Sequence, residues 1–393
     1  MSSEYQTIFL HKGSKVYIRK ESLDALKVVD AILFDCDGVL IDSSSSYDVA
    51  IQSTVKYIIQ KLTSIEVPQN IASKKIIKTF RKSGGFNCDW DTSYVIIVAM
   101  FNMLPKEFKK DFLDKHSSVI SDPELSPIKK ILKMSSIIRK KLPNDYFFTK
   151  KNHISKKLMN IASLADENGV SSSMQTLLND LNNSFDKKFH KTFQKFLAHN
   201  NVKSRIVARI FNELFYGEKL FKKINGLESE IPIIKGLIEN DKLIVKETTF
   251  QKLRNRFGEN KLGLVTGRGS IGVYYTLGKF NKYFNQKAMI FIEDLMQTIN
   301  KKNKTFSKPA PHSLLKASSK IKYFSKAIYV GDSAEDYLMV IKANKIKNSF
   351  LFAGVYSLSS PRQSKQMFIE AKADIIMSTV NDLPAIFDFL LGE

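Results

Sequence analysis

The stretch VVDAILFDCDGVLID, residues 28–42, most constrains what this chain can become. Its first half is short, apolar and rich in β-forming residues, the pattern of a buried strand. The strand runs straight into Asp35 and Asp37, with Asp42 close behind. Carboxylates at the end of a buried strand are either a polar turn or a reactive site. The rest of the chain has to decide between them.

After residue 244 short apolar runs recur: KLGLVTG, KAMIFIED, KAIYVGD, NSFLFAGV and ADIIMS. Helical stretches such as EDYLMVIKANK separate some of them, and repeated strand–helix units argue for a parallel sheet with helices on both faces. The early strand near residues 28–35 completes that sheet. Residues 46–244 are helix-like for most of their length. YDVAIQSTVKYIIQKL places Val49, Ile51, Val55, Ile58 and Leu62 close to one helical face. Ile206, Ile210, Phe211, Leu214 and Phe215 form a second such stripe. The polar, basic segment RKKLPNDYFFTKKNHISKK, residues 139–157, is expected to be a loop. YQTIFL and KVYIRK flank a glycine-containing turn and predict a hairpin. The expected fold is α/β. A Rossmann-like parallel-sheet core spans residues 25–45 and 245–393, a large α-helical domain is inserted at 46–244, and a hairpin extension occupies 1–24.

The charge balance concerns partners rather than fold. Sixty-one Lys and Arg against 39 Asp and Glu leave a net charge of +22. That favours anionic partners such as phosphorylated metabolites, acidic lipid or nucleic acid. The basic residues scatter instead of forming one block, so a general lysine-rich bias explains them equally well. Cys36 and Cys88 stand far apart, outside any CxxC pattern, which gives no basis for a zinc site or disulfide framework and fits a reducing interior. The N-terminus lacks the pattern of a signal peptide, and TSYVIIVAMFNMLP is too short to span a bilayer. A cytoplasmic protein with no membrane partner is expected. Nothing in the sequence sets its oligomeric state.

Ligands of open α/β sheets bind beyond the carboxyl ends of the strands. Asp35 and Asp37 follow AILF, Thr266 and Gly267 follow LGLV, and Asp332 and Asp336 follow AIYVG. Lys308 stands in SKPAPHSLLKA, before the last of these strands. Clustered carboxylates repel one another unless a cation sits among them, and oxygen ligands without a His or Cys cluster suit magnesium. A hydroxyl and a backbone N–H after Thr266 suit phosphoryl oxygens, and a lysine neutralises the remaining charge. One carboxylate could attack phosphorus while another protonates the leaving oxygen.

With these residues in place, the sequence resembles the haloacid dehalogenase-like hydrolase superfamily. Its DxDGxxxD motif is matched by DCDGVLID, its strand-ending threonine by LVTGR, its lysine by SKPAP and its GDxxxD by GDSAED. The helical insertion after the first motif resembles the cap of the superfamily's subfamily I. The resemblance implies a magnesium-dependent phosphatase that hydrolyses a small phosphorylated metabolite through an aspartyl-phosphate. Asp35 is then the nucleophile and Asp37 the general acid and base. Their side chains are expected to turn apart along an extended backbone and so serve opposite sides of the phosphorus. Magnesium is held by Asp35, the Asp37 carbonyl and Asp332, with Asp336 in support. Thr266 and Gly267 hold the phosphoryl group, Lys308 offsets its charge, and Gly38 relieves crowding. A phosphomutase of the beta-phosphoglucomutase type, or a nucleic-acid-binding end phosphatase, are the alternatives.

Each assignment has a plainer rival. Asp42 can be a turn or helix cap, and Asp336 a helix N-terminal residue favoured by the dipole. Lys304 and Lys316 compete with Lys308. Arg268 either contacts substrate or is solvated in a loop. KSGGFNCDWD resembles a GGxNxDW signature of a subfamily I group, which makes Gly84, Gly85, Asn87, Asp89 and Trp90 a candidate specificity loop. The alternative is that Trp90 anchors the following helix as a buried aromatic. Cys36 is expected to be a small core residue, and His312 exposed.

Overall fold

A computed structural model describes residues 4–10, 13–86, 88–138, 142–166, 168–179, 196–197, 202–296, 308–356 and 361–392. The chain divides into two compact units, Met1–Ser43 with Asp241–Glu393, and Ser44–Asn240.

Among the described residues, the first unit is built on an eight-stranded sheet of order β1-β2-β10-β9-β8-β3-β6-β7. Its strands are β1 Tyr5–Phe9, β2 Lys15–Arg19, β3 Val29–Phe34, β6 Leu262–Val265, β7 Met289–Ile290, β8 Lys326–Gly331, β9 Phe350–Val355 and β10 Ile375–Met377. From β10 to β7 every pairing is parallel. β3 lies between β8 and β6, with Phe34 opposite Val330 and Leu264. Its side chains alternate between the two faces. Ile32, Phe34 and Cys36 enter a core with Phe250 and Val330, while Ala31 and Leu33 enter another with Leu314 and Tyr329. Both faces of β3 are therefore buried, which is why its sequence is almost continuously apolar. The N-terminal hairpin belongs to this sheet: β2 pairs antiparallel with β10, Ile18 opposite Ile375. β4 Ile41–Asp42 and β5 Lys242–Leu243 form a separate antiparallel ribbon.

The second unit is helical. Tyr47–Thr63 buries Ile51, Val55, Ile58, Ile59 and Leu62. Asp89–Asn102 buries every residue from Thr92 to Asn102, which accounts for its long apolar run. Ile206–Asn225 departs from helical geometry at Gly217, where a Cβ would lie 2.4 Å from the Gly236 nitrogen. No helix of the described residues is long and apolar enough to cross a membrane.

Two expectations need correction. Residues 139–141 of the segment expected as a loop over 139–157 lie outside the described residues, and the rest is largely helical, with Tyr146–Thr149 followed by Lys151–Ser163. Phe147, Ile154, Leu158 and Ile161 turn inward there, and the lysines between them mask a helical stripe. KAMIFIED supplies only the two residues of β7, because Ile292–Met296 is already helical.

Candidate active site

Three neighbouring strands deliver the polar residues. Asp35 follows β3, and its N–H donates to the Val330 carbonyl at 2.8 Å, so the β3–β8 ladder extends one residue into the site. Asp332 follows β8. Thr266 follows β6, its N–H held by the Ile290 carbonyl at 3.0 Å. Lys308 Nζ lies 2.6 Å from Asp35 Oδ1 and 2.8 Å from Asp336 Oδ1, over the Tyr329 ring. Asp336 is fully buried and closes a capping box on the helix Ala334–Asn344. The Ser333 hydroxyl donates to its Oδ2 at 2.6 Å, and its own N–H donates to Ser333 Oγ at 3.2 Å. The Tyr329 hydroxyl lies 3.0 Å from Oδ1. Asp336 thus starts a helix and also stands beside Asp35 and Asp332. Its carboxylate begins a helix and holds Lys308 in place.

Asp35, Asp332 and Asp336 each offer an oxygen within 4.8 Å of the others. Burial, reinforced by the Asp336 carboxylate and opposed by Lys308, pushes the Asp35 carboxyl up to about 7. Burial and the carboxylates of Asp35 and Asp336 push Asp332 well above the usual range. Burial disfavours the Lys308 ammonium, but Asp336 and Asp35 outweigh it and hold the amine well above its ordinary value. One ammonium against three close carboxylates leaves negative charge uncompensated. The donor set is all oxygen. A small divalent cation such as magnesium fits both facts. Gly38, at φ 78°, lets Asp332 approach, since a Cβ there would lie 2.0 Å from Asp332 Oδ2.

Asp37 has different partners. Arg268 donates to it twice, from Nη2 to Oδ1 at 2.7 Å and from Nε to Oδ2 at 3.3 Å. An extended backbone would have put Asp35 and Asp37 on one face, because residues two apart share a side. The strand instead ends at Phe34 and the chain bends at Cys36, so each carboxylate faces its own cation. Arg268 is no solvated loop residue. Its side chain is 0% exposed, because Asp37 and Asp241 together supply the charge that makes burying a guanidinium tolerable.

The Thr266 hydroxyl accepts the Arg268 N–H at 3.0 Å, which leaves its proton to be donated. Gly267 is exposed, and a Cβ built on it would meet nothing within 4 Å. Lys316 is away from the cluster, bonded to Asp294, and Lys304 lies outside the described residues. Asp42 is an exposed residue of β4, opposite Lys242. Cys36 is fully buried and burial raises its thiol, as suits a core residue. His312 begins a helix and is exposed.

The GGFNCDWD residues lie in the helical unit, and Asn87 is outside the described residues. Gly85 packs backbone to backbone with Gly169, where a Cβ would come within 2.6 Å of Gly169 Cα. Phe86 is buried against Phe80 at 4.8 Å between centroids. Asp89 accepts Arg81 Nη2 at 2.9 Å, and Arg81 also holds Asp48 at 2.6 Å. Trp90 is half-buried against the core, and Gly84 is exposed at φ 79°.

No family model matches the chain, and no curated protein matches it. Solved structures do. One is an X-ray structure of a Northeast Structural Genomics Consortium target, 17% identical, with a TM-score of 0.66 over 93% of this chain and 100% of the other. Another is a HAD-superfamily hydrolase, subfamily IA, variant 1, from Geobacter sulfurreducens PCA, 12% identical with a TM-score of 0.34, covering 92% of this chain and 97% of that one. The likeness to the first of these, over nearly the whole of both chains, shows a shared fold. Within this mostly parallel sheet, Asp35, Thr266 and Asp332 stand at the ends of three adjacent strands and Lys308 pairs with Asp35.

Sequence reasoning missed Asp241, Thr276 and Tyr329. Asp241 Oδ2 takes Arg268 Nη1 at 2.6 Å and the Thr276 hydroxyl at 3.1 Å. No local signal marks it, because IENDKL reads as an ordinary polar connection. Tyr329 was visible only as an apolar strand residue. Its hydroxyl matters through a partner seven positions on.

Proposed function

We propose that this chain is a magnesium-dependent phosphatase that hydrolyses a small phosphorylated metabolite through an aspartyl-phosphate. The observation that carries the reading is a buried Asp35 held 2.6 Å from Lys308, clustered with Asp332 and Asp336, one strand from Thr266. Asp35, Asp332 and the Asp37 carbonyl would hold magnesium, with Asp336 supporting the set chiefly through Lys308. The ion would supply positive charge against the phosphoryl oxygens and keep Asp35 ionised.

The remaining chemistry belongs to the chain. The Thr266 hydroxyl and the Gly267 N–H donate to the phosphoryl group, and Lys308 balances its charge. An Asp35 oxygen bonds to phosphorus as the ester P–O bond breaks. The departing oxygen takes a proton from Asp37. Water then attacks phosphorus, the bond to Asp35 breaks, Asp37 takes the water's proton, and inorganic phosphate leaves. Residues 44–240, inserted between the first motif and the second, take the part of a substrate-selecting cap.

Asp35→Asn is expected to abolish phosphate release from phosphomonoesters with magnesium while circular dichroism stays unchanged. Near-normal turnover by that variant would refute the assignment. Product analysis in the same assay separates a phosphatase, which frees phosphate, from a mutase, which returns an isomerised sugar phosphate.

A further inference from the structure

The geometry points to Arg268 as the positioning residue that aims the Asp37 carboxyl at the leaving oxygen, itself held in place by Asp241. This rests on the phosphatase reading above and deepens it. The Arg268 side chain is 0% exposed and that of Asp37 33%, so the guanidinium lies behind the carboxylate and only Asp37 is open to a ligand. A substrate-contacting role for Arg268 does not suit that burial. Both Asp37 oxygens are met by one rigid fork, which fixes the plane of a carboxylate as well as its place. The fork is anchored from the rear. Nη1 donates to Asp241 Oδ2 at 2.6 Å and lies 3.3 Å from the Thr276 hydroxyl. The Arg268 N–H is fixed in turn on Thr266 Oγ1 at 3.0 Å. One residue thus ties the phosphoryl-binding threonine to the proton-transfer carboxylate. Asp37 needs such an anchor, because it follows the bend at Cys36, precedes a turn and is tied to the backbone by a single isolated bridge, to Ile41.

A positioned acid matters in proportion to how badly the leaving group needs a proton. Glycerol 2-phosphate leaves as a poor alkoxide, while p-nitrophenyl phosphate leaves as a stable phenolate. The value of kcat/KM reports the steps up to phosphoryl transfer. For Arg268→Lys, kcat/KM on glycerol 2-phosphate is expected to fall by about 10²-fold, with little change on p-nitrophenyl phosphate. Asp241→Asn should shift the ratio the same way by less, because an amide oxygen still accepts from Arg268. Losing one member of a buried charge set can unfold a protein, so Arg268→Met with Asp241→Asn, which removes both buried partners together, is assayed alongside. Equal losses on the two esters, or no loss on either, would overturn the positioning role while leaving the phosphatase reading intact. A wild-type protein that hydrolyses neither ester with magnesium would remove the reading itself, and this inference with it.

Discussion

Gly38 decides how closely Asp332 can approach the strand end that carries Asp35. Its φ of 78° and the 2.0 Å between a would-be Cβ and Asp332 Oδ2 leave no room for a side chain. In Gly38→Ala the backbone strain is about 1–2 kcal/mol, and the methyl group must displace the carboxylate. Misplacement of about 1 Å at a reacting centre costs about 10²-fold. We expect kcat/KM to drop by that order with the far-ultraviolet spectrum preserved, and wild-type turnover would show that the close approach is dispensable. At this scale the sequence was informative wherever a charge stood directly after an apolar run, as Asp35 and Asp332 do. It was uninformative for Arg268 and Asp241. Their environment is set by partners 231 and 27 positions apart, and nothing local distinguishes a buried arginine after TG from a solvated one.

Among the elements, β3, β6, β8, β9 and β10 were legible because strands buried on both faces are almost uniformly apolar. Lys151–Ser163 was not. Lys151, Lys156 and Lys157 dominate its composition, and the inward positions Ile154, Leu158 and Ile161 give only a narrow stripe. The GGFNCDWD stretch is where element and function readings diverge most. Gly85 leaves 2.2 Å between a would-be Cβ and the Asp166 carbonyl, so Gly85→Ala forces two backbone segments apart. Overpacking of this kind costs about 1–3 kcal/mol. A fall of about 2–10 °C in the melting temperature is expected, with KM of the folded protein unchanged. A raised KM without thermal loss would instead make this stretch a substrate contact.

For the molecule as a whole, an ion held by the carboxylate cluster of Asp35, Asp332 and Asp336 would couple stability to its concentration. A ligand that binds only the folded state at 100 times its dissociation constant adds about 2.7 kcal/mol. Magnesium should therefore raise the melting temperature of the wild-type protein, chelator should reverse the rise, and Asp332→Asn should abolish it. An identical shift in that variant would place the ion elsewhere. The sheet order carries one more consequence, for how the chain is made. β3 is synthesised early, yet its neighbours are Leu262–Leu264 on one side and Lys326–Val330 on the other. Ser44–Asn240 is contiguous and has its own core, so every contact within it is available before β6 exists. β2 must wait longer still, because the strand it pairs with in the main sheet, β10, lies near the end of the chain. The hairpin β1–β2 can join the sheet only after β10 has been made, so a ribosome-stalled product ending before Ile375 would carry Asp35 on a sheet whose edge is still open.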